Sequence, residues 1–139
     1  MNKKVSITEQ VKSFEDACKV LGLESKNLPI VENLPEKERL NIIAYYKLII
    51  IIRALNEGWE ADFLDSNQWK YYNWFYIEYN GAAAGFGCAY TSHAASSANA
   101  HFGSRICFKT RELATYAREN FRDLYFEYFF IDMPKNYGK

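Results

Sequence analysis

The stretch from Glu36 to Asn56, EKERLNIIAYYKLIIIIRALN, decides the fold. Its centre, Leu48-Ile49-Ile50-Ile51-Ile52, has no polar position, so a helix there is apolar around its whole circumference. A β-branched run of this kind also suits a buried strand. A length of about twenty residues, helix formers early in the segment, Pro35 at its entrance and Gly58 beyond its end favour the helix. A helix with no polar face must be covered from several directions, and it is expected to be the central element of the molecule.

Upstream, Ser13 with Asp16 forms a variant capping box and Gly22 supplies a left-handed stop, predicting a helix from Phe14 to Leu21 with Phe14, Ala17, Cys18 and Leu21 on its apolar side. Asn27 to Leu34 reads as a loop. Downstream, a linker carrying Glu57, Glu60, Asp62 and Asp65 leads to a strand from Lys70 to Tyr79. Further strands are expected near Phe86 to Tyr90 and Arg105 to Lys109, with a loop over Thr91 to Phe102. Thr110 is a good N-cap, and Leu113, Tyr116, Ala117, Phe121, Leu124 and Tyr128 then recur at helical spacing, predicting a final helix from Arg111 to Phe130. The fold class expected is α+β in the order α-α-β-β-β-α. A three-stranded antiparallel sheet would pack against the long central helix and the C-terminal helix. Residues 1–139 form one domain on the usual size argument, with 1–12 and 132–139 as flexible ends.

Composition narrows the function classes. With 49% hydrophobic and 24% charged residues the chain can bury a core unaided. Seventeen basic and seventeen acidic side chains cancel, so no bulk field favours nucleic acid or an anionic membrane. Three cysteines, Cys18, Cys88 and Cys107, fit neither a disulfide framework nor a redox pair and read as reduced thiols. The N-terminal stretch lacks a signal-peptide core, and the most apolar run is too short to span a membrane. The expected setting is the cytoplasm.

Nine aromatic residues lie between Trp59 and Tyr79, whereas Asn80 to Ser104 contains no Asp, Glu, Lys or Arg. Rings beside closely approachable backbone suit a recognition surface. Alternation along the first strand puts Tyr72, Trp74 and Tyr76 on one face, able to stack a base or a flat ligand or else to pack under the long helix. Phe86 and Tyr90 lie in a glycine-aromatic strand that superficially matches the RNA-recognition signature but lacks its leading basic residue. Arg105, Lys109 and Arg111 converge in sequence on a helix N-terminus and could receive an anion, or could be the solvated charges of a junction. Cys88, His93, His101 and Cys107 have no zinc-type spacing, so no metal and no cofactor is expected. The two histidines offer no nucleophile-base pair, which disfavours an enzyme. The rings at Tyr125, Phe126, Phe129 and Phe130 exceed one core stripe and suggest contact with another copy of the chain.

Leu34-Pro35-Glu36-Lys37, Tyr45-Tyr46-Lys47, Asn56-Glu57-Gly58-Trp59, Lys70-Tyr71-Tyr72-Asn73-Trp74-Phe75 and the run from Gly103 to Ala114 carry a resemblance. The chain resembles small uncharacterised proteins encoded by phages, prophages and mobile elements of Bacteroidetes, over most of its length from about residue 13 to 130. The resemblance implies a mobile genetic setting in a bacterial host cell and brings no functional residue with it. Small phage proteins without catalytic residues act by binding. The leading expectation is a noncatalytic accessory protein that binds a host protein or sequesters a small anionic or aromatic ligand. A self-associating virion or assembly protein is the alternative, and a single-stranded nucleic-acid-binding module the second.

Overall fold

The computed structural model describes residues 4–79, 84–94 and 104–130, and the side chains of 4–73 and 104–130. Among the described residues the elements run α1 (Ile7–Gln10), α2 (Phe14–Leu21), α3 (Glu36–Leu55), β1 (Lys70–Tyr79), β2 (Ala84–Ala94), α4 (Arg111–Asn120) and α5 (Arg122–Phe129). Helix dominates, and the expected three-stranded sheet is overturned.

The central helix is confirmed. From Ile50 to Asn56 every residue except Arg53 is buried, as the all-round apolar pattern requires. Consecutive residues on a helix point about 100° apart. Tyr46 meets Phe14 of α2 edge-on at 6.2 Å, while its neighbour Tyr45 stacks on Tyr128 of α5 at 5.3 Å. Two helices therefore cover α3 from different directions, and α1 closes a third contact. Ile51, Ile52 and Leu55 are almost fully removed from water, each worth about 1.5–3 kcal/mol of burial. Asn56 ends the helix, and Glu57 at φ 49° with Gly58 at φ 88° turns the chain through two left-handed residues.

The helix from Phe14 to Leu21 forms as expected, with Ser13 Oγ accepting from the Asp16 amide at 3.1 Å and Gly22 at φ 71°. Within the expected flexible end 1–12, the described residues from Ser6 onward are built into the fold. Ser6 and Glu9 form a capping box around α1, Ile7 and Val11 join the core, and Tyr116 Oη donates to the Val11 carbonyl at 2.6 Å. The other expected flexible end, 132–139, lies outside the described residues, as does the expected loop beyond Ala94.

β1 and β2 form a two-stranded antiparallel ribbon pairing Lys70 with Ala94 at one end and Tyr79 with Ala84 at the other. The register shifts between Trp74 and Phe75, where β2 carries one extra residue. The third strand expected at Arg105 to Lys109 shrinks to a single bridge. Phe108 exchanges hydrogen bonds with Tyr71, donating at 2.7 Å and accepting at 3.0 Å. Its flanking groups point the other way, as alternation demands, and meet a side chain instead of a strand. Asn56 Nδ2 donates to the Cys107 carbonyl at 3.0 Å, and Asn56 Oδ1 accepts from the Lys109 amide at 3.0 Å. Thr110 then caps α4, so the pairing cannot extend.

The C-terminal helix is also corrected, because it breaks at Phe121, whose backbone (φ −124°, ψ 29°) ends α4 and begins α5. The break lets two segments serve different partners. α4 carries the ribbon, with Asn73 Nδ2 donating to the Ala114 carbonyl at 2.9 Å, whereas α5 lies on α3. Among the described residues the ribbon packs chiefly on α4.

Replacing Asn56 by alanine strands the Cys107 carbonyl and the Lys109 amide in a buried setting. We expect a loss of about 2–4 kcal/mol in urea denaturation, well above the loss for an exposed asparagine such as Asn33.

Candidate functional site

A surface cleft of about 270 Å³ opens where α3 ends. Ile49, Ile50, Ile52, Arg53 and Asn56 of α3 form one wall, Trp59, Glu60 and Ala61 of the following turn another, and Ser104 with Arg105 the third. The walls are tied together at their base. Asn56 clamps the 107–109 backbone, the Trp59 amide donates to the Asn56 carbonyl at 2.9 Å, and Lys109 Nζ bonds Glu57 Oε1 at 3.3 Å. That ion pair is partly exposed, so it fixes geometry more than it stabilises.

Two exposed guanidiniums, Arg53 and Arg105, face the cleft with one exposed carboxylate, Glu60. Guanidinium groups hold carboxylate or phosphate in planar, bidentate fashion. The partly buried Ile49 and Trp59 provide apolar surface for the rest of a ligand. The chemistry on offer is recognition of an anionic group set beside an apolar one.

The anion site expected from Arg105, Lys109 and Arg111 does not assemble as such. Arg105 lines the cleft, Lys109 is engaged by Glu57, and the Arg111 guanidinium sits over the Tyr71 ring at 5.3 Å. Sequence reasoning missed Arg53 and Trp59. The available signal for Arg53 was its position as the one charge among six otherwise uncharged residues from Ile50 to Asn56.

Among the other expected binding residues, Tyr72 is half-buried, and the side chains of Trp74, Tyr76, Phe86 and Tyr90 lie outside the described residues. Tyr125 and Phe126 are buried, with Tyr125 Oη accepting from Asn73 Nδ2 at 3.2 Å, so they cannot form a self-association surface. Phe130 is half-buried, whereas Phe129 is half-exposed. Of the weighed metal set, Cys107 is a core residue. His101 and the side chains of Cys88 and His93 lie outside the described residues. Among the described residues no three His, Cys, Asp or Glu side chains form a cation cluster, and no helix is long and apolar enough to cross a membrane.

The turn beyond the cleft is fixed by a buried lysine. Lys70 Nζ donates to the Asp65 carbonyl at 3.0 Å and the Gln68 carbonyl at 2.9 Å, and sits 5.3 Å from the Phe63 ring centre. An unpartnered buried ammonium would cost several kcal/mol, so these carbonyls are what allow its burial.

Comparison with protein-family models, with curated proteins and with solved structures returns no match for this chain. The class it defines rests on its own geometry, a small, mostly helical domain with an arginine-lined cleft.

Burial pushes the Cys107 thiol up to about 11, although the nearby Lys70 charge pulls the other way. At neutral pH it is protonated and inaccessible, so iodoacetamide should leave Cys107 unmodified in the native chain and label it in urea, as read by peptide mass spectrometry. The raised value also means that its contribution to stability is complete below the ordinary thiol value of 9.0 and is lost as pH rises through about 11.

Proposed function

We propose that the chain is a noncatalytic binding module that takes a ligand bearing an anionic group next to an apolar or aromatic group into the cleft at the end of α3. The observation that carries this reading is that Arg53 of α3 and Arg105 of a segment distant in sequence line one cleft together with Ile49 and Trp59. The ligand class agrees with the small anionic or aromatic molecule expected from the sequence. The resemblance to phage and mobile-element proteins of Bacteroidetes supports an accessory role in the cytoplasm of a bacterial host cell. Sequestering a small molecule or occupying an acidic segment of a host protein would both use this cleft.

Anilinonaphthalene sulfonate, which carries an anion beside aromatic rings, is a suitable fluorescent probe. Wild-type protein should bind it, and the Arg53→Gln, Arg105→Gln double variant should bind about tenfold or more weakly, since each charge-assisted contact is worth roughly 1.5–3 kcal/mol at most in such a setting. Both arginines are exposed, so folding should be unaffected. Equal affinity in the double variant would remove the cleft as the site.

A further inference from the structure

The turn after the cleft presents an apolar side chain to water in a fixed way. Leu64 is 98% exposed, the most exposed of the large hydrophobic residues among those described. It is not on a slack loop. Asp62 Oδ1 accepts from the Leu64 amide at 2.9 Å, and Asp65 Oδ1 accepts from the Asn67 amide at 2.9 Å. Gln68 reaches back across the turn, donating to the Glu60 carbonyl at 3.2 Å and accepting from the Asp62 amide. Lys70 anchors the base from inside through the Asp65 and Gln68 carbonyls. Ordering this knob has already been done in the free protein, so little entropy is lost when it docks.

Charge narrows what it fits. Leu64 lies between Asp62 and Asp65, both exposed, and the one lysine of the turn is buried. Nucleic acid and anionic lipid are repelled by such a surface. The complement is an apolar socket with a net basic rim, and the molecule carries one, lined by Ile49 and Trp59 with two guanidiniums, Arg53 and Arg105, against the single carboxylate of Glu60. Leu64 stands 98% exposed although the cleft adjoins the same turn, so the chain does not seat its own Leu64 in its own cleft. A second copy can supply it.

We propose that the chain self-associates by seating the Asp62-Phe63-Leu64-Asp65 knob of each copy in the cleft of the other. This rests on the reading of the cleft given above and names its protein partner. The knob offers carboxylates beside an apolar group, the ligand chemistry that the cleft accepts. Knob and cleft are joined directly through Trp59 to Ala61, so two copies related by a two-fold axis make the contact twice and close as a dimer. Self-association was expected from the rings of the C-terminal segment; Tyr125 and Phe126 are buried, and the knob and cleft provide the surface instead.

Sedimentation velocity over a wide concentration range tests it. The wild type should show a monomer-dimer equilibrium that weakens with salt. Leu64→Ala, at a position making no core contact, should weaken it about tenfold or more, and Arg53→Glu with Arg105→Glu should abolish it. Asp62→Asn with Asp65→Asn keeps the oxygens that hold the turn while removing charge, and should reduce the salt dependence. A wild type that stays monomeric throughout, or a dimer untouched by the Leu64 and arginine variants, overturns the proposal. Anilinonaphthalene sulfonate titrated into the Leu64→Ala chain reports on the cleft separately. Binding there with a monomeric wild type removes the dimer and leaves the cleft reading standing, whereas no binding removes both.

Discussion

The fold depends on the side-chain amide of Asn56. It stands at the last turn of the central helix, buried, and takes the two backbone groups that the 107–109 segment cannot offer to a strand. Through that segment it reaches Tyr71 and the ribbon, and through Thr110 it sets where α4 begins. An amide suits the position because it supplies a donor and an acceptor side by side, as a backbone strand would. Three parts of the molecule distant in sequence are thereby held at one point, and the cleft is the space left beside it.

The central helix accounts for the location of that space. Its last two turns are covered except at Arg53, the one position that cannot be buried without a partner for its charge. The helix is thus open on one side, and the chain leaving it through Glu57 and Gly58 builds the adjacent wall. The same economy operates at Lys70, where burial of an ammonium is offset by two carbonyls and the turn around it is stiffened in consequence. Two cations, Arg53 directed out and Lys70 directed in, organise the cleft and its neighbouring turn.

Much of the fold was legible because local signals were strong. Ser13 and Gly22 bracket a helix that forms between them, the Glu36 segment is helical to Leu55, and β1 spans Lys70 to Tyr79 as its ring-rich pattern indicates. The errors lie where the outcome was decided by distant partners. Arg105 to Lys109 has the composition of a strand, yet one residue of it pairs because Asn56, about fifty positions earlier, caps its other edge. The 1–12 segment was expected to be a flexible end, but Ile7 and Val11 reach the core and Tyr116 fixes the Val11 carbonyl. The site was half legible. Arg105 was identified from its neighbourhood in sequence, while Arg53 and Trp59 acquire meaning only when the end of α3 and the 104–105 turn come together.

The break at Phe121 changes what the aromatic excess means. A single helix from Arg111 to Phe130 would turn its rings to more directions than one core can absorb, which is why they suggested a foreign surface. With α4 set on the ribbon and α5 on α3, the rings find internal partners: Tyr125 with Asn73, Tyr128 with Tyr45, and Phe126 beneath the Arg122 guanidinium at 5.0 Å. Most of the aromatic richness of this segment is therefore spent on packing two differently directed helices, with Phe129 left half-exposed. The open surface features instead arise where charge interrupts an apolar run, since there the chain must either leave a side open to water or bring its own carbonyls to a buried cation. In this molecule Arg53 does the first and Lys70 the second, and the cleft and the knob are their respective products.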